Sequence, residues 1–138
     1  MDQVMISIIG TQEAEGEEDK VELLTEGEYE YGEEQSTLRY EESSLTGMEG
    51  TTTTFLIEPG AVTMSREGNI VSQMLFQKDK KHLFLYTTPY GSSTLGIRTQ
   101  RLQVEVGPEG GHMEISYDLD VDNYKIGHNE FQIKFRLA

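Results

Sequence analysis

The chain contains no cysteine, and other absences further narrow what kind of protein it is. Without cysteine it has neither disulfides nor a thiolate metal site. Its longest apolar runs are a few residues, far short of the roughly 20 that a membrane-spanning helix needs, so we expect no membrane span. The first residues lack the basic region and long apolar run of a secretory signal. We therefore expect a cytoplasmic protein.

Basic residues are scarce, with 11 lysines and arginines against 25 acidic residues and a net charge of −14. All of that net charge lies in residues 1–58, since acidic and basic residues balance in the rest of the chain. An acidic chain repels phosphate backbones and anionic lipid head groups, so we expect neither nucleic acid nor a membrane surface as a partner. Charge runs of this kind usually belong to strand faces that are exposed to water. The alternative is that the acidic surface attracts a basic protein partner.

Apolar and polar residues alternate strictly in the last third of the sequence. A period of two is the pattern of a half-buried β-strand, because successive side chains point to opposite faces of the sheet. The length of 138 residues suits a single domain, 1–138, with one core. The alternating apolar residues are Leu102, Val104, Val106, Met113, Ile115, Tyr117, Leu119, Val121, Phe131, Ile133, Phe135 and Leu137.

The same alternation runs through about ten extended segments joined by short links. We expect loops at residues 13–19, after the first strand, and at residues 123–129, before the last one. Short links favour antiparallel hairpins, since parallel strands need long crossovers. The chain is therefore predicted to be all-β. An antiparallel meander of about eight to ten strands removes its unpaired edges by closing into a barrel, and a two-sheet sandwich is the alternative.

One predicted strand changes its alternation phase between Leu95 and Leu102. Leu95 and Ile97 occupy odd positions, whereas Leu102 and the apolar residues after it occupy even positions. A single extra residue restores a common face, which is what a β-bulge supplies where a long strand bends. We therefore expect a bulge near Thr99 and Gln100, and two separate strands are the alternative.

Four segments stand out when they are taken together: LRYEE at residues 38–42, TGMEGTTTT at 46–54, REG at 66–68 and YTTPYG at 86–91. In combination they resemble the uncharacterised bacterial YwiB-like family. The resemblance extends over nearly the whole chain and implies a lipocalin-like, calycin-type β-barrel. It implies no activity, since the family has none established.

Motifs that carry known chemistry fail when their spacing is tested. Asp118, Asp120 and Asp122 open like an EF-hand loop, but Asn123 and Asn129 stand where glycine and a bidentate glutamate are required. The glycines at 91 and 96 are not followed by the Lys-Ser/Thr of a phosphate loop. The sequence therefore predicts no catalytic residue, metal site or cofactor. The serines lack the G-x-S-x-G motif of a hydrolase, and the histidines lack the spacing of metal ligands. These residues are Ser92, Ser93, His82, His112 and His128.

Strand phase turns two charged side chains towards the predicted interior. Glu42 shares a face with Leu38 and Tyr40, and Arg66 shares one with Val62 and Met64. Burying either charge alone costs several kcal/mol. We therefore expect Glu42 and Arg66 to be paired or wet near a barrel end.

Further polar residues share the face of Phe84. His82, Tyr86 and Thr88 follow it by alternation, and Tyr90 comes after a proline that cannot donate to a central ladder. We expect Arg66, Tyr86, Thr88 and Tyr90 to border the principal cavity near a barrel mouth, with His82 as a further neighbour. In the alternative, each of these strand-end residues simply emerges into solvent.

Three functions are compatible with these patterns. The first is a non-catalytic barrel that binds a small, partly apolar or anionic ligand inside. The second is an acidic protein-protein interaction module without a ligand. The third is an enzyme that uses Glu42 as a base beside Arg66. The predicted ligand-binding residues are Glu42, Arg66, His82, Tyr86, Thr88 and Tyr90.

Overall fold

Ten β-strands form one antiparallel sheet in a computed structural model that describes residues 1–138. The one helical element is a 3₁₀ turn (Ser44–Thr46), and no helix is long and apolar enough to cross a membrane. The strands are β1 (Asp2–Ala14), β2 (Glu17–Glu30), β3 (Ser36–Glu41), β4 (Thr51–Glu58), β5 (Ala61–Gly68), β6 (Ser72–Phe76), β7 (Lys81–Thr88), β8 (Gly91–Gly107), β9 (Gly110–Val121) and β10 (Tyr124–Leu137).

The sheet curls into a nearly closed barrel. Its strand order is β6-β5-β4-β3-β2-β1-β10-β9-β8-β7, so β1 and β10 pair in the middle and β6 and β7 are the edges. Val71 and Thr87 join these edges through two backbone hydrogen bonds of 2.9 Å. A second bridge links Lys78 and Thr99. The predicted all-β meander and its closure are confirmed, and the two-sheet sandwich is wrong.

The inner face of the barrel holds most of the apolar residues that the alternation singled out, whereas Leu137 at the end of β10 is 42% exposed. In β4, buried and half-buried residues alternate without a break from Thr51 to Ile57, as a strand with one face on a core requires. The largest side chains with almost no exposure are Tyr29, Phe55, Phe76, Ile6, Leu38, Met64, Ile97, Met113, Ile115 and Ile133.

The predicted bulge lies where the phase change placed it. The register between β8 and β9 shifts between Thr99 and Arg101, which leaves Gln100 as the extra residue. Ile97 and Thr99 are buried on one side of the shift, and Leu102 packs against the core on the other. One inserted residue therefore keeps both halves of this long strand facing inward.

Both predicted long loops are wrong, because each is a two-residue hairpin turn. Glu15 and Gly16 join β1 to β2 with φ of 54° and 80°, and Asp122 and Asn123 join β9 to β10 with φ of 50° and 69°. Two residues with positive φ suffice for a tight hairpin. The acidic residues around the first turn belong to the paired ends of β1 and β2. At the start of β10, a second bulge between Lys125 and Gly127 interrupts the alternation of apolar and polar residues, so the sequence pattern did not reveal this part of the strand.

The barrel wall has a gap between β2 and β3. These strands pair only through residues 28–30 of β2, and the earlier part of β2 pairs with β1 alone. Gly27 lies where they diverge, and a Cβ there would come within 2.6 Å of the carbonyl oxygen of Arg39. The absence of a side chain at Gly27 therefore permits the close approach of β2 to β3. The two strands separate in the part of β2 that precedes this glycine.

The first hairpin offers a matched test of inner and outer faces. Ile6 is fully buried, whereas Leu24 on the paired strand is 71% exposed. We expect Ile6→Ala to lower the free energy of unfolding by about 2–5 kcal/mol and Leu24→Ala to change it by less than about 0.5 kcal/mol. Urea unfolding followed by circular dichroism measures both, and equal losses would contradict the assignment of the two faces.

Candidate ligand-binding cavity

A cavity of about 390 Å³ lies inside the barrel, within the range of roughly 300–1,000 Å³ typical of small-molecule sites. It reaches the gap in the wall, since its lining includes Asp19, Val21 and Leu23 from the part of β2 that does not pair with β3. Thr46 and Met48, in and just after the 3₁₀ turn, also line it. Further apolar residues of the lining are Ile8, Met74, Phe84, Leu95, Leu119 and Phe131.

A row of polar side chains crosses four neighbouring strands on the inner face. The register pairs Tyr40 with Thr53, Thr53 with Arg66 and Arg66 with Ser72. Directly paired residues in a sheet present their side chains to the same face. Glu42 follows Tyr40 by two residues and is buried at 7% exposure. The sheet therefore gathers the inward polar residues at one level of the barrel.

Glu42 and Arg66 form the predicted pair. Nε of Arg66 lies 3.8 Å from Oε2 of Glu42, and their side chains are only 12% and 1% exposed. Thr53 donates a hydrogen bond of 2.5 Å from Oγ1 to the same carboxylate oxygen. The separation of 3.8 Å is too long for a hydrogen bond, so charge attraction holds the pair. The expected ion pair is confirmed.

Three buried polar atoms of cavity residues have no hydrogen-bond partner in the protein. They are Oε1 of Glu42, Nε of Arg66 and Oδ1 of Asn129. More than nine in ten buried polar groups are normally hydrogen-bonded, and leaving one unpaired costs about 1–3 kcal/mol. The other two such atoms, in Ser72 and Thr99, belong to residues outside the cavity lining. Three of the five buried atoms without a hydrogen-bond partner therefore belong to residues that line this cavity.

Two tyrosines add neutral hydroxyl groups to the lining. Burial raises the pKa of Tyr40, and the charge of Glu42 raises it further, against a smaller lowering by Arg66. Burial also raises the pKa of Tyr117, although a 3.0 Å hydrogen bond from Nδ2 of Asn129 to the Tyr117 hydroxyl opposes the shift. Both phenols therefore keep their protons at ordinary pH and can donate as well as accept.

Only part of the predicted site lines this cavity. Glu42, Arg66 and Tyr86 do so, whereas His82, Thr88 and Tyr90 do not. The prediction that these last three border the principal cavity is wrong. Tyr90 is 99% exposed, because Pro89 and Tyr90 form the tip of a tight hairpin in which Thr88 pairs with Gly91.

The other misplaced residues have local partners. Nε2 of His82 lies 2.8 Å from Oε1 of Gln77, beside the turn that precedes β7, and Oγ1 of Thr88 accepts a 3.1 Å hydrogen bond from the Tyr90 amide. Asn129 was missed because the bulge in β10 placed it in a predicted loop. Tyr117 was visible only as a member of the alternating core, and no sequence signal marks its hydroxyl.

Ser116, His128 and Asp118 form an unexpected hydrogen-bonded chain on the outer face. Ser116 Oγ lies 3.1 Å from His128 Nε2, and His128 Nδ1 lies 2.7 Å from Asp118 Oδ1. The order is that of a hydrolase triad. However, Glu130 also approaches the same Nε2 at 3.3 Å, and β9 pairs on both sides, so its amides are engaged in the ladder and are not free to form an oxyanion hole.

This outer chain is better explained as part of a surface charge network. Burial raises the pKa of Asp118, but hydrogen bonds from His128 and Lys125 outweigh it and leave that pKa below its usual value. Gln100 donates a further hydrogen bond of 2.8 Å to the same carboxylate. No group of three or more histidine, aspartate or glutamate side chains is arranged to hold a metal ion. The interior cavity is therefore the candidate site.

The interior ion pair predicts non-additive effects of mutation. Arg66→Met leaves the Glu42 charge buried without its partner, whereas combining it with Glu42→Gln removes both charges. We expect Arg66→Met to cost less stability in the Glu42→Gln background than alone, by about 0.5–3 kcal/mol. Urea unfolding of the four proteins gives this coupling energy. Additive losses would show that the two residues do not interact.

Comparisons with known proteins agree with this architecture. A family profile described as a domain of unknown function, DUF1934, matches residues 6–133, and no curated protein matches the chain. The crystal structure of the ywiB protein from Bacillus subtilis is similar, with a TM-score of 0.87 and 19% identity over 99% of this chain and 92% of that chain. At that identity the likeness concerns the fold. The resemblance predicted from the sequence is confirmed, and the chain belongs to the DUF1934 family of domains of unknown function.

Proposed function

We propose that this protein is a non-catalytic binding barrel that holds a small, partly apolar molecule in its interior. The observation that carries the proposal is a cavity of about 390 Å³ whose lining residues include three with a buried polar atom that lacks a hydrogen-bond partner. That volume corresponds to roughly a dozen water-sized groups at ~30 Å³ each. A molecule of this size is a small metabolite or a short acyl chain, not a macromolecule.

The cavity lining suits a molecule with two unlike ends. Leu23, Met74, Phe84, Leu95 and Phe131 offer an apolar surface, and the row around Arg66 offers hydrogen-bonding groups. Ligand sites usually combine a mostly apolar wall with a few placed polar groups that fix orientation. The gap between β2 and β3 supplies a route into this space. In one variant of this proposal the ligand is an anion, and the guanidinium of Arg66 alone binds its charge.

The proposal also covers the finer fold type and the place of action. An up-and-down meander around one cavity supports a lipocalin-like, calycin-type barrel. The acidic composition and the absence of cysteine fit a bacterial cytoplasmic protein without nucleic-acid or membrane partners. Catalysis by Glu42 has less support, because Thr53 and Arg66 already engage one of its carboxylate oxygens.

A second candidate function is an acidic module that binds a basic protein. It is favoured by an outer groove between β2 and β5 whose lining includes Glu26, Glu28, Glu41 and Glu67, with Arg39 as the one basic residue. Such a surface attracts a positively charged partner, and the attraction weakens with added salt. This function makes no use of the interior cavity, so blocking the cavity separates the two candidates.

Octan-1-ol is a suitable neutral probe of the cavity, and two glycines provide matched variants. Gly10 lines the cavity, and a Cβ there meets only the ring of Phe131 at 3.4 Å, whereas Gly107 lies outside the lining with nothing within 4 Å. Valine suits a strand at both positions. We expect Gly10→Val to weaken octan-1-ol binding about tenfold or more, a loss of ~1.4 kcal/mol, and Gly107→Val to leave it unchanged.

Binding is measured by titration of octan-1-ol followed by NMR spectroscopy. Native mass spectrometry of the freshly purified protein adds a search for a small molecule that is retained by the wild type and by Gly107→Val but not by Gly10→Val. Equal affinity of octan-1-ol for both variants would place the probe outside the cavity. Absence of binding to the wild type would count against the proposed function and in favour of the acidic interaction module.

A further inference from the structure

The interior of the barrel is electrically balanced. Among the residues that line the cavity, the charged ones are Glu42, Arg66 and Asp19. Asp19 is exposed at the mouth, so the buried charges are one carboxylate and one guanidinium, 3.8 Å apart. Charges at this separation in a poorly solvated site interact strongly. Any ligand that reaches one of them therefore also experiences the other.

This balance disfavours a charged guest of either sign. An anion that accepts a hydrogen bond from Nε of Arg66 is brought close to the Glu42 carboxylate, which repels it. A cation at Oε1 of Glu42 meets the guanidinium in the same way. Either guest must also lose its hydration on entry, which is costly for an ion without a free counter-charge. An uncharged polar group avoids both penalties.

The unpartnered atoms define the complementary hydrogen-bonding pattern. Nε of Arg66 can only donate, whereas Oε1 of Glu42 and Oδ1 of Asn129 can only accept. Each of these atoms has almost no accessible surface, so a guest reaches them only after the lining side chains shift, and it must then accept one hydrogen bond and donate others. We propose that the cavity selects molecules whose polar end is uncharged and both accepts and donates hydrogen bonds, as a primary amide does, on an apolar body. This inference rests on the proposed function and replaces its anionic variant with a neutral ligand class.

A series of eight-carbon probes tests the ligand class on the full-length wild-type protein. Octanamide carries the proposed end group, octanoate and octylammonium carry opposite charges, and methyl octanoate is uncharged but cannot donate. We expect octanamide to bind about tenfold more tightly than the other three, a tenfold ratio being ~1.4 kcal/mol. NMR titrations measure the affinities, with octan-1-ol as the neutral reference and Gly10→Val as the control for binding inside the cavity.

Changing the charge balance should invert the preference. Glu42→Gln keeps the side-chain shape but leaves Arg66 without its counter-charge, so octanoate should gain at least about tenfold relative to octanamide. Glu30→Gln removes the same charge from an exposed position at the end of β2, outside the cavity and the outer groove, and should leave the ranking unchanged. A general effect of net charge would move both variants alike. The wild-type ranking decides the proposal even if Glu42→Gln does not fold.

The outcomes separate this inference from the proposed function. If octanoate or octylammonium binds the wild-type cavity as tightly as octanamide, the neutral ligand class is wrong while interior binding stands. If methyl octanoate matches octanamide, the requirement for a donor is wrong. If octan-1-ol and all four probes fail to bind, interior binding and the ligand class are both rejected.

Discussion

The backbone hydrogen-bond ladder decides which side chains enter the barrel. Most strands pair with a neighbour on both sides, and β1 and β10 join the two halves of the meander over ten residue pairs. A slip of one residue in any register would turn that strand's inner set outward. The apolar core and the Glu42–Arg66 pair depend on the same constraint, because Leu38, Tyr40 and Glu42 enter the barrel on a single phase.

The two ends of the barrel differ in how their inward side chains are satisfied. At one end the ring of Tyr29 packs edge-on against Phe135 with centroids 4.6 Å apart, and its hydroxyl donates a 2.8 Å hydrogen bond to the carbonyl oxygen of Gly107. At the other end the polar row and its unpartnered atoms surround a cavity. Buried unpaired groups reduce stability, so the aromatic contact and the hydrogen bond of Tyr29 help to offset the cost of the unpartnered atoms at the cavity end.

Irregularities in the sheet shape the candidate site. The bulge at Gln100 keeps Ile97 and Thr99 inward. Asn129 reaches the cavity lining on the same alternation phase as Phe131, after the register shift at the start of β10. Divergence of β2 from β3 beyond Gly27 opens the wall beside that lining. Bulges often re-aim side chains next to binding sites. A sheet in which β2 and β3 paired along their whole length would lack the entrance.

The sequence alone determined the strands, the meander, the bulge in β8 and the inward direction of Glu42 and Arg66, because alternation is a local property of each strand. It also identified the family through its motifs. The tertiary structure decided that Asn129 and Tyr117 converge on the same space and that Tyr90 lies at an exposed hairpin tip. These outcomes depend on the register between strands distant in sequence and on how far each hairpin projects. Neither quantity is encoded in the phase of a single strand, so only the folded sheet fixes them.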